Sequence, residues 1–287
     1  MGHLGRWLHH PGLELGGLIL CASPVAGQWT QGAPGAAWIG GTFLVQRADT
    51  RFDEGGRRTV WLGNGSVDAN VFVLDVVAGL SRKVDVWMQL QFLDVSFSRV
   101  NLPAIRSTGV GDLRVWMRYQ VWTGPAGRWP VALRFGAKAP LGASAIDSEI
   151  LPLGEGQWDL EGVLETGHVI GDNDVTVSLW GGYRLRFERT EILLDPGNEY
   201  FLLGTVAVPI GPAVFRAAFD GLWAHRLRAF DILTGSARRL LVVQGLATLP
   251  LRRSVSGRVG VRIPVAGRSF PADPQWLVGV ATPFAIP

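Results

Sequence analysis

Charged side chains recur in this chain at strand spacing, and in sets. Arg114 and Arg118 stand four apart, as do Arg134 and Lys138, Arg216 and Asp220, and Arg258 and Arg262. Asp159, Glu161 and Glu165 fall at even offsets, and Arg184 and Arg186 are two apart. Even offsets place side chains on one face of a β-strand. Clustered carboxylates could serve calcium or glycosidase chemistry, but alternate positions on a strand lie roughly 7 Å apart. That is loose for a metal shell, and no Asp/Asn/Gly calcium loop accompanies the set. Histidine could act as the base of a hydrolase. Beyond residue 27 the histidines are His168 and His225, and neither has a serine two residues on. By phase both share an apolar face, while a catalytic base needs a reachable nucleophile. Gly154 and Gly156 begin a GxGxxG-like spacing without a third glycine or a following helix, so a dinucleotide site is not expected. The remaining chemistry is ion pairing between charges on the same faces of neighbouring strands. No catalytic residue, metal or cofactor is expected.

The elements that must position these charges read as strands. In residues 109–142, Leu113, Val115, Met117, Tyr119 and Val121 alternate with Asp112, Arg114, Arg118 and Gln120. After a Gly/Pro turn, Val131, Leu133, Phe135, Ala137 and Ala139 alternate with Arg134 and Lys138. A soluble sandwich would bury the apolar face, whereas a transmembrane barrel turns it to lipid and its charges to a lumen. Comparable alternation recurs from Trp38 to Phe284, giving about twelve strands, an even number as bacterial barrels require. A connection is expected over 99–109, and a phase slip near Leu93 predicts a β-bulge there. Connections after even-numbered strands are tight, and those after odd-numbered strands are mostly longer and more polar. Short periplasmic turns and longer outer loops produce that rhythm. The fold class is therefore an all-β, antiparallel up-and-down transmembrane barrel.

Composition agrees. Charged residues are 18%, against roughly 25% in soluble domains. Gly (38) and Trp (12) are frequent, as turns and aromatic girdles demand. The net charge of +3 comes from scattered basic residues rather than runs, so no nucleic-acid partner is expected. Residues 1–27 read as a signal peptide, with Arg6, His9 and His10 before an apolar core and small residues near Ala26. The lone Cys21 follows Leu20, which does not suit a lipid anchor. Residues 28–287 read as one barrel domain. No stretch reaches the roughly 18 apolar residues of a membrane helix.

Strand phase points Arg114, Arg118, Arg134, Lys138, Arg184, Arg186, Arg216, Arg226, Arg258 and Arg262 inward, with Asp85, Asp112, Asp159, Glu161, Glu165, Glu188 and Asp220 facing them. Unpaired charges there would be costly without water, so Arg–carboxylate ladders are expected. These form either a charged constriction that selects solutes or a salt-bridge plug.

The chain resembles the outer-membrane barrel family labelled for the MetA pathway of phenol degradation. The matching elements are Gly111-Asp112-Leu113, Arg118-Tyr119, Lys138-Ala139-Pro140-Leu141-Gly142, and Gly154 to Asp159. Leu141 departs from the threonine more usual there. The resemblance implies a bacterial outer-membrane location, with uptake of small hydrophobic or aromatic compounds. It defines no catalytic residue. The expected function is a passive channel, with membrane lipid, lipopolysaccharide and a small solute as partners. The alternatives are a non-transporting barrel with a filled lumen and a secreted soluble β protein.

Overall fold

A computed structural model describes residues 34–61, 63–124, 129–144, 151–171, 174–229, 232–234, 237–252 and 254–285. The signal expected over 1–27, with Cys21, lies outside the described residues. Among the described residues there is no helix. The wall consists of β1 (Ala36–Ala48), β2 (Ser66–Gly79), β3 (Val84–Arg99), β4 (Leu102–Val110), β5 (Leu113–Trp122), β6 (Val131–Ala139) and β7 (Asp159–Ile170). It continues through β8 (Val175–Arg186), β9 (Glu199–Ile210), β10 (Ala213–Ala224), β11 (Arg239–Arg252), β12 (Val255–Arg268) and β13 (Gln275–Ala285). Apart from β4 and β5, each strand pairs antiparallel with its sequence neighbour, and β13 pairs with β1 from Ala36↔Ala285 to Gln46↔Gln275. The upper half of β3 pairs with β4 and its lower half with β5, so these two share one place in the wall. The result is a closed antiparallel barrel of twelve strands.

Alternation decides which way each strand faces. Met117 and Phe135 are 49% and 56% exposed on the outside, while Arg118 and Arg134 beside them are 8% and 5% exposed inside. This inversion suits lipid, and only a closed wall leaves no edge in it. Exposed aromatics mark both rims of the apolar band: Trp158, Tyr183, Tyr200, Trp223 and Trp276 at one end, and Trp122 and Trp129 at the other. The strand ends joined by the long connections 49–65, 140–158, 187–198 and 225–238 lie at the first end; the second carries turns such as 80–83 and 211–212.

Two expectations are corrected. The connection expected over 99–109 is largely strand, because β4 folds back on β3 after a two-residue turn. Its outward side is polar: Arg106 donates to Asp94 through Nε at 2.7 Å, and Thr108 Oγ1 donates to the same carboxylate at 2.9 Å. This part of the wall projects past the apolar band, so its sequence lacks the apolar face that reveals the other strands. The β-bulge expected near Leu93 is absent. β2 and β3 keep register from Ser66↔Ser98 to Gly79↔Asp85. The inward face of β3 instead changes chemistry, from Asp85, Trp87, Gln89 and Gln91 to Leu93, Val95 and Phe97. Those three join Leu44, Trp61, Val67, Val71, Leu246 and Leu277 in an apolar cluster inside the long-loop end.

Loop 140–158 enters that cluster through Leu151 and Leu153, both buried. Leu151 N donates to Ser107 Oγ at 2.9 Å, and Leu153 N to the Ala143 carbonyl at 2.7 Å. The two stems of the loop touch where Gly142 meets Gly154. A Cβ on Gly142 would lie 2.7 Å from Gly154 Cα, and one on Gly154 would lie 2.3 Å from Asp112 Oδ1. Replacing Gly142 with Val should therefore force the stems apart. The expected cost is roughly 1–3 kcal/mol in the urea midpoint of the folded-barrel gel shift, with faster cleavage of the loop by a nonspecific protease.

Candidate functional site in the barrel interior

Strands β5 to β9 line the interior with a connected chain of ion pairs. At one end Arg118 Nε donates to Asp85 Oδ2 at 3.0 Å, and Arg118 Nη1 lies 3.4 Å from Glu165. Glu165 is 3.0 Å from Arg134 Nε, and Arg134 Nη2 is 3.9 Å from Glu161. Glu161 accepts from Arg184 at 2.8 Å, and Arg184 reaches Glu199 at 2.5 Å. Glu199 also takes Arg186 at 3.1 Å and Arg238 at 2.9 Å. Arg186 bonds Glu155 and stands 3.9 Å from Asp159. Lys138 then binds Asp112, Glu155 and Asp159 at 3.0, 2.6 and 3.2 Å. Arg114, 6% exposed, lies opposite Lys138 on one side and Gln89 on the other.

The pairing follows from strand register. Arg118 lies opposite Asp85 and Arg134, Arg184 opposite Glu161 and Glu199, and Lys138 opposite Asp159. Opposite charges therefore meet directly in four of these ladders, whereas the like charges Arg118 and Arg134 face each other and are bridged by Glu165. The partners matter because these groups see little water, and a buried charge without a partner is destabilising.

Three inward tryptophans surround Arg134. Its guanidinium stands 5.4, 5.7 and 4.8 Å from the ring centroids of Trp87, Trp116 and Trp180. Cation–π attraction adds to its ion pairs. Trp116 Nε1 donates to Glu161 at 3.0 Å, and Trp87 Nε1 to Asp75 at 3.3 Å. Gly136, opposite Trp116, provides the room: a Cβ there would fall 2.1 Å from the indole.

Asp112 ties loop 140–158 to this wall. It accepts from Gly142 N at 3.2 Å, Glu155 N at 3.0 Å and Lys138 Nζ. Burial works to raise the Glu155 carboxyl, but Arg186, Lys138 and Arg238 outweigh it and hold it well below its usual range.

The predicted residues divide accordingly. Arg114, Arg118, Arg134, Lys138, Asp159, Glu161, Glu165 and Arg184 converge on one packed interior wall. Arg216, Asp220 and Arg258 lie on another, from β10 to β12, where Asp220 pairs with Arg262 at 3.2 Å. Two inward assignments are corrected: Arg226 and Glu188 lie just past the ends of their strands and are exposed. Strand phase was carried too far there, beyond the point where pairing stops. Glu155, Glu199, Arg238 and the tryptophan cage were missed. Glu199 had a readable signal, since it begins an alternating strand after a turn. Glu155 and Arg238 had none, because loops carry no period. His168 stacks on Trp129 at 5.2 Å and His225 on Tyr200 at 5.6 Å, at opposite rims.

Residues 38–232 match the family model described as "Putative MetA-pathway of phenol degradation". No curated protein sequence matches the chain. The fold is similar to the crystal structure of an outer membrane channel from Pseudomonas putida F1, at 15% identity and a TM-score of 0.79 over 91% of this chain and 100% of that one. It is also similar to the translocator domain of the autotransporter NalP from Neisseria meningitidis, at 13% identity and a TM-score of 0.51 over 99% of this chain and 95% of that one. At these identities the likeness is one of fold, the bacterial outer-membrane type of barrel.

Glu199, 0% exposed, faces three guanidinium groups. Glu199→Gln should cost about 3–5 kcal/mol, read from the urea midpoint of the gel shift. A pH dependence follows at Glu155. Its folded value lies below the ordinary 4.5, so its contribution is present above that pH and is lost as pH falls through the lowered value. Protease resistance of loop 140–158 should stay level from pH 7 to pH 5. In Glu155→Gln it should be lower across that range.

Proposed function

The chain belongs to the family described as putative MetA-pathway of phenol degradation, and we propose that it is a passive conduit for small solutes across the bacterial outer membrane. The observation that supports this reading is the chemistry of the interior. A wall of ion pairs gives little net stability over an apolar filling of the same volume. Here the ion-paired wall is packed, and the opposite wall, with half-buried Arg216, Thr248, Ser256 and Arg258 below the apolar cluster, gives the passage both polar and apolar contacts. Such a lining suits small solutes with a polar group and a hydrophobic or aromatic body. Leu151 and Leu153, seated in that cluster, are the closing element in this proposal.

The proposal extends to the surroundings. The mature domain covers 28–287 behind a signal at 1–27. Lipid contacts the apolar band, and lipopolysaccharide contacts the polar strip around Asp94 and Arg106. We assign no catalysis: His168 and His225 stand at the rims against aromatic rings, apart from the ion-pair network.

A second reading, a barrel that conducts nothing and presents its loops, is favoured by the packing of the long-loop end, where Leu151 is 0% exposed. Uptake by intact cells separates the two. Cells producing the protein should take up a small aromatic solute faster than cells lacking it. The Leu151→Asp/Leu153→Asp variant, which unseats the loop, should raise the rate several-fold further. Equal rates in all three, with folding verified by gel shift, would support the second reading.

A further inference from the structure

The wall from β10 through β13 to β2 holds a cation whose hydrogen-bonding edge is unused. Most interior cations have a carboxylate within 4 Å: Arg118, Arg134, Lys138, Arg184, Arg186, Arg238 and Arg262 all do. Among the described residues, Arg258 makes no such pair. Its Nε and Nη2 are both buried and lack a hydrogen-bond partner. Elsewhere in this protein the same guanidinium edge grips a carboxylate. Arg118 binds Asp85 through Nε and Nη2, Arg184 binds Glu161 so, and Arg106 binds Asp94 so.

The side chain of Arg258 is laid along the wall where two residues have no side chain. A Cβ on Gly279 would lie 2.8 Å from its Nε, and one on Gly40 would lie 3.0 Å from its Nη2. These glycines belong to β13 and β1, with Gly279 opposite Arg258 and Gly40 opposite Asp75. Thr42 Oγ1 and Asp75 Oδ2 in the same neighbourhood are also buried without a partner. Arg216 stands on the same inward side across β11, where Leu246 lies opposite it and Thr248 lies opposite Arg258. Arg258, Arg216, Thr248 and Ser256 are half-buried, so this part of the lumen is reachable, unlike the packed charge network.

We propose that Arg258 is the anchor of a binding site for a small carboxylate solute in the short-turn half of the lumen. The guanidinium is parked over Gly40 and Gly279 and turns its Nε/Nη2 edge to the solute's carboxylate, while Arg216 supplies further attraction. A charge-assisted fork of this kind is the strong form of hydrogen bond, and here both donors start without a partner. Asp75, held by Trp87 and Gln89, faces the site and disfavours anions bearing a second charge. This deepens the conduit reading and rests on it only in that solutes enter the lumen.

The test is binding to the purified, folded barrel in detergent, with benzoate as probe and benzyl alcohol as its uncharged counterpart, followed by ligand-observed NMR. Benzoate should bind saturably and more tightly than benzyl alcohol. Arg258→Gln should weaken benzoate about tenfold or more and leave benzyl alcohol unchanged. Arg258→Lys should recover part of the affinity, since a point charge lacks the fork. Gly279→Ala removes the parking place without touching the charge and should alter benzoate affinity alone. Equal benzoate binding by wild type and Arg258→Gln, or no saturable binding by wild type, would overturn the proposal. Saturable binding without uptake by cells would keep this site and defeat the conduit. Uptake without binding would do the reverse.

Discussion

Charge neutrality in a space nearly closed to water is the constraint on which the interior depends. Seven basic side chains, Arg114, Arg118, Arg134, Lys138, Arg184, Arg186 and Arg238, share the wall with seven carboxylates, Asp85, Asp112, Glu155, Asp159, Glu161, Glu165 and Glu199. None could be buried alone without a large penalty. Register must therefore be held to the residue, since a slip of one would turn every charge to lipid. The outer face imposes the same demand with opposite sign. The two faces together exclude odd slips of neighbouring strands, and the ion pairs oppose the even ones.

Within that wall, Asp112 joins local geometry to long-range order. Its carboxylate gathers two backbone amides from the two stems of loop 140–158 and the ammonium of Lys138. The segments that carry the family resemblance, around Asp112, Lys138, Gly142, Gly154 and Asp159, are thus one knot in space. The glycines are there because the stems touch, and the lysine because three carboxylates meet. Leu141, the departure from the usual pattern, is 59% exposed on the loop and stands outside this knot.

How much was legible follows from where a period exists. In β5, β6, β7 and β8 both faces have distinct chemistry, and the inward sets Arg114/Arg118, Arg134/Lys138 and Asp159/Glu161/Glu165 were readable by counting in twos. β4 was hidden because its outward side, with Arg106 and Thr108, meets water rather than lipid. The supposed bulge in β3 was a change in what the lumen contains, which alternation cannot distinguish from a change of phase. Arg226 and Glu188 were misplaced because phase has no meaning past the last paired residue. Glu155 and Arg238 come from loops that fold back into the barrel, and only tertiary structure could bring them there. The pairing of partners across strands was also beyond the sequence, since it requires register.

The seam between β1 and β13 has a consequence for how such a wall comes into being. Ala36 meets Ala285 across almost the whole chain, whereas the other ladders join near neighbours. Contact order is low around the meander and very high at this one junction, so local hairpins can form early while closure waits for the entire polypeptide. Until then β1 and β13 are unpaired edges, open to pairing with other chains. Assembly therefore exposes its greatest aggregation hazard at the two strands that meet last.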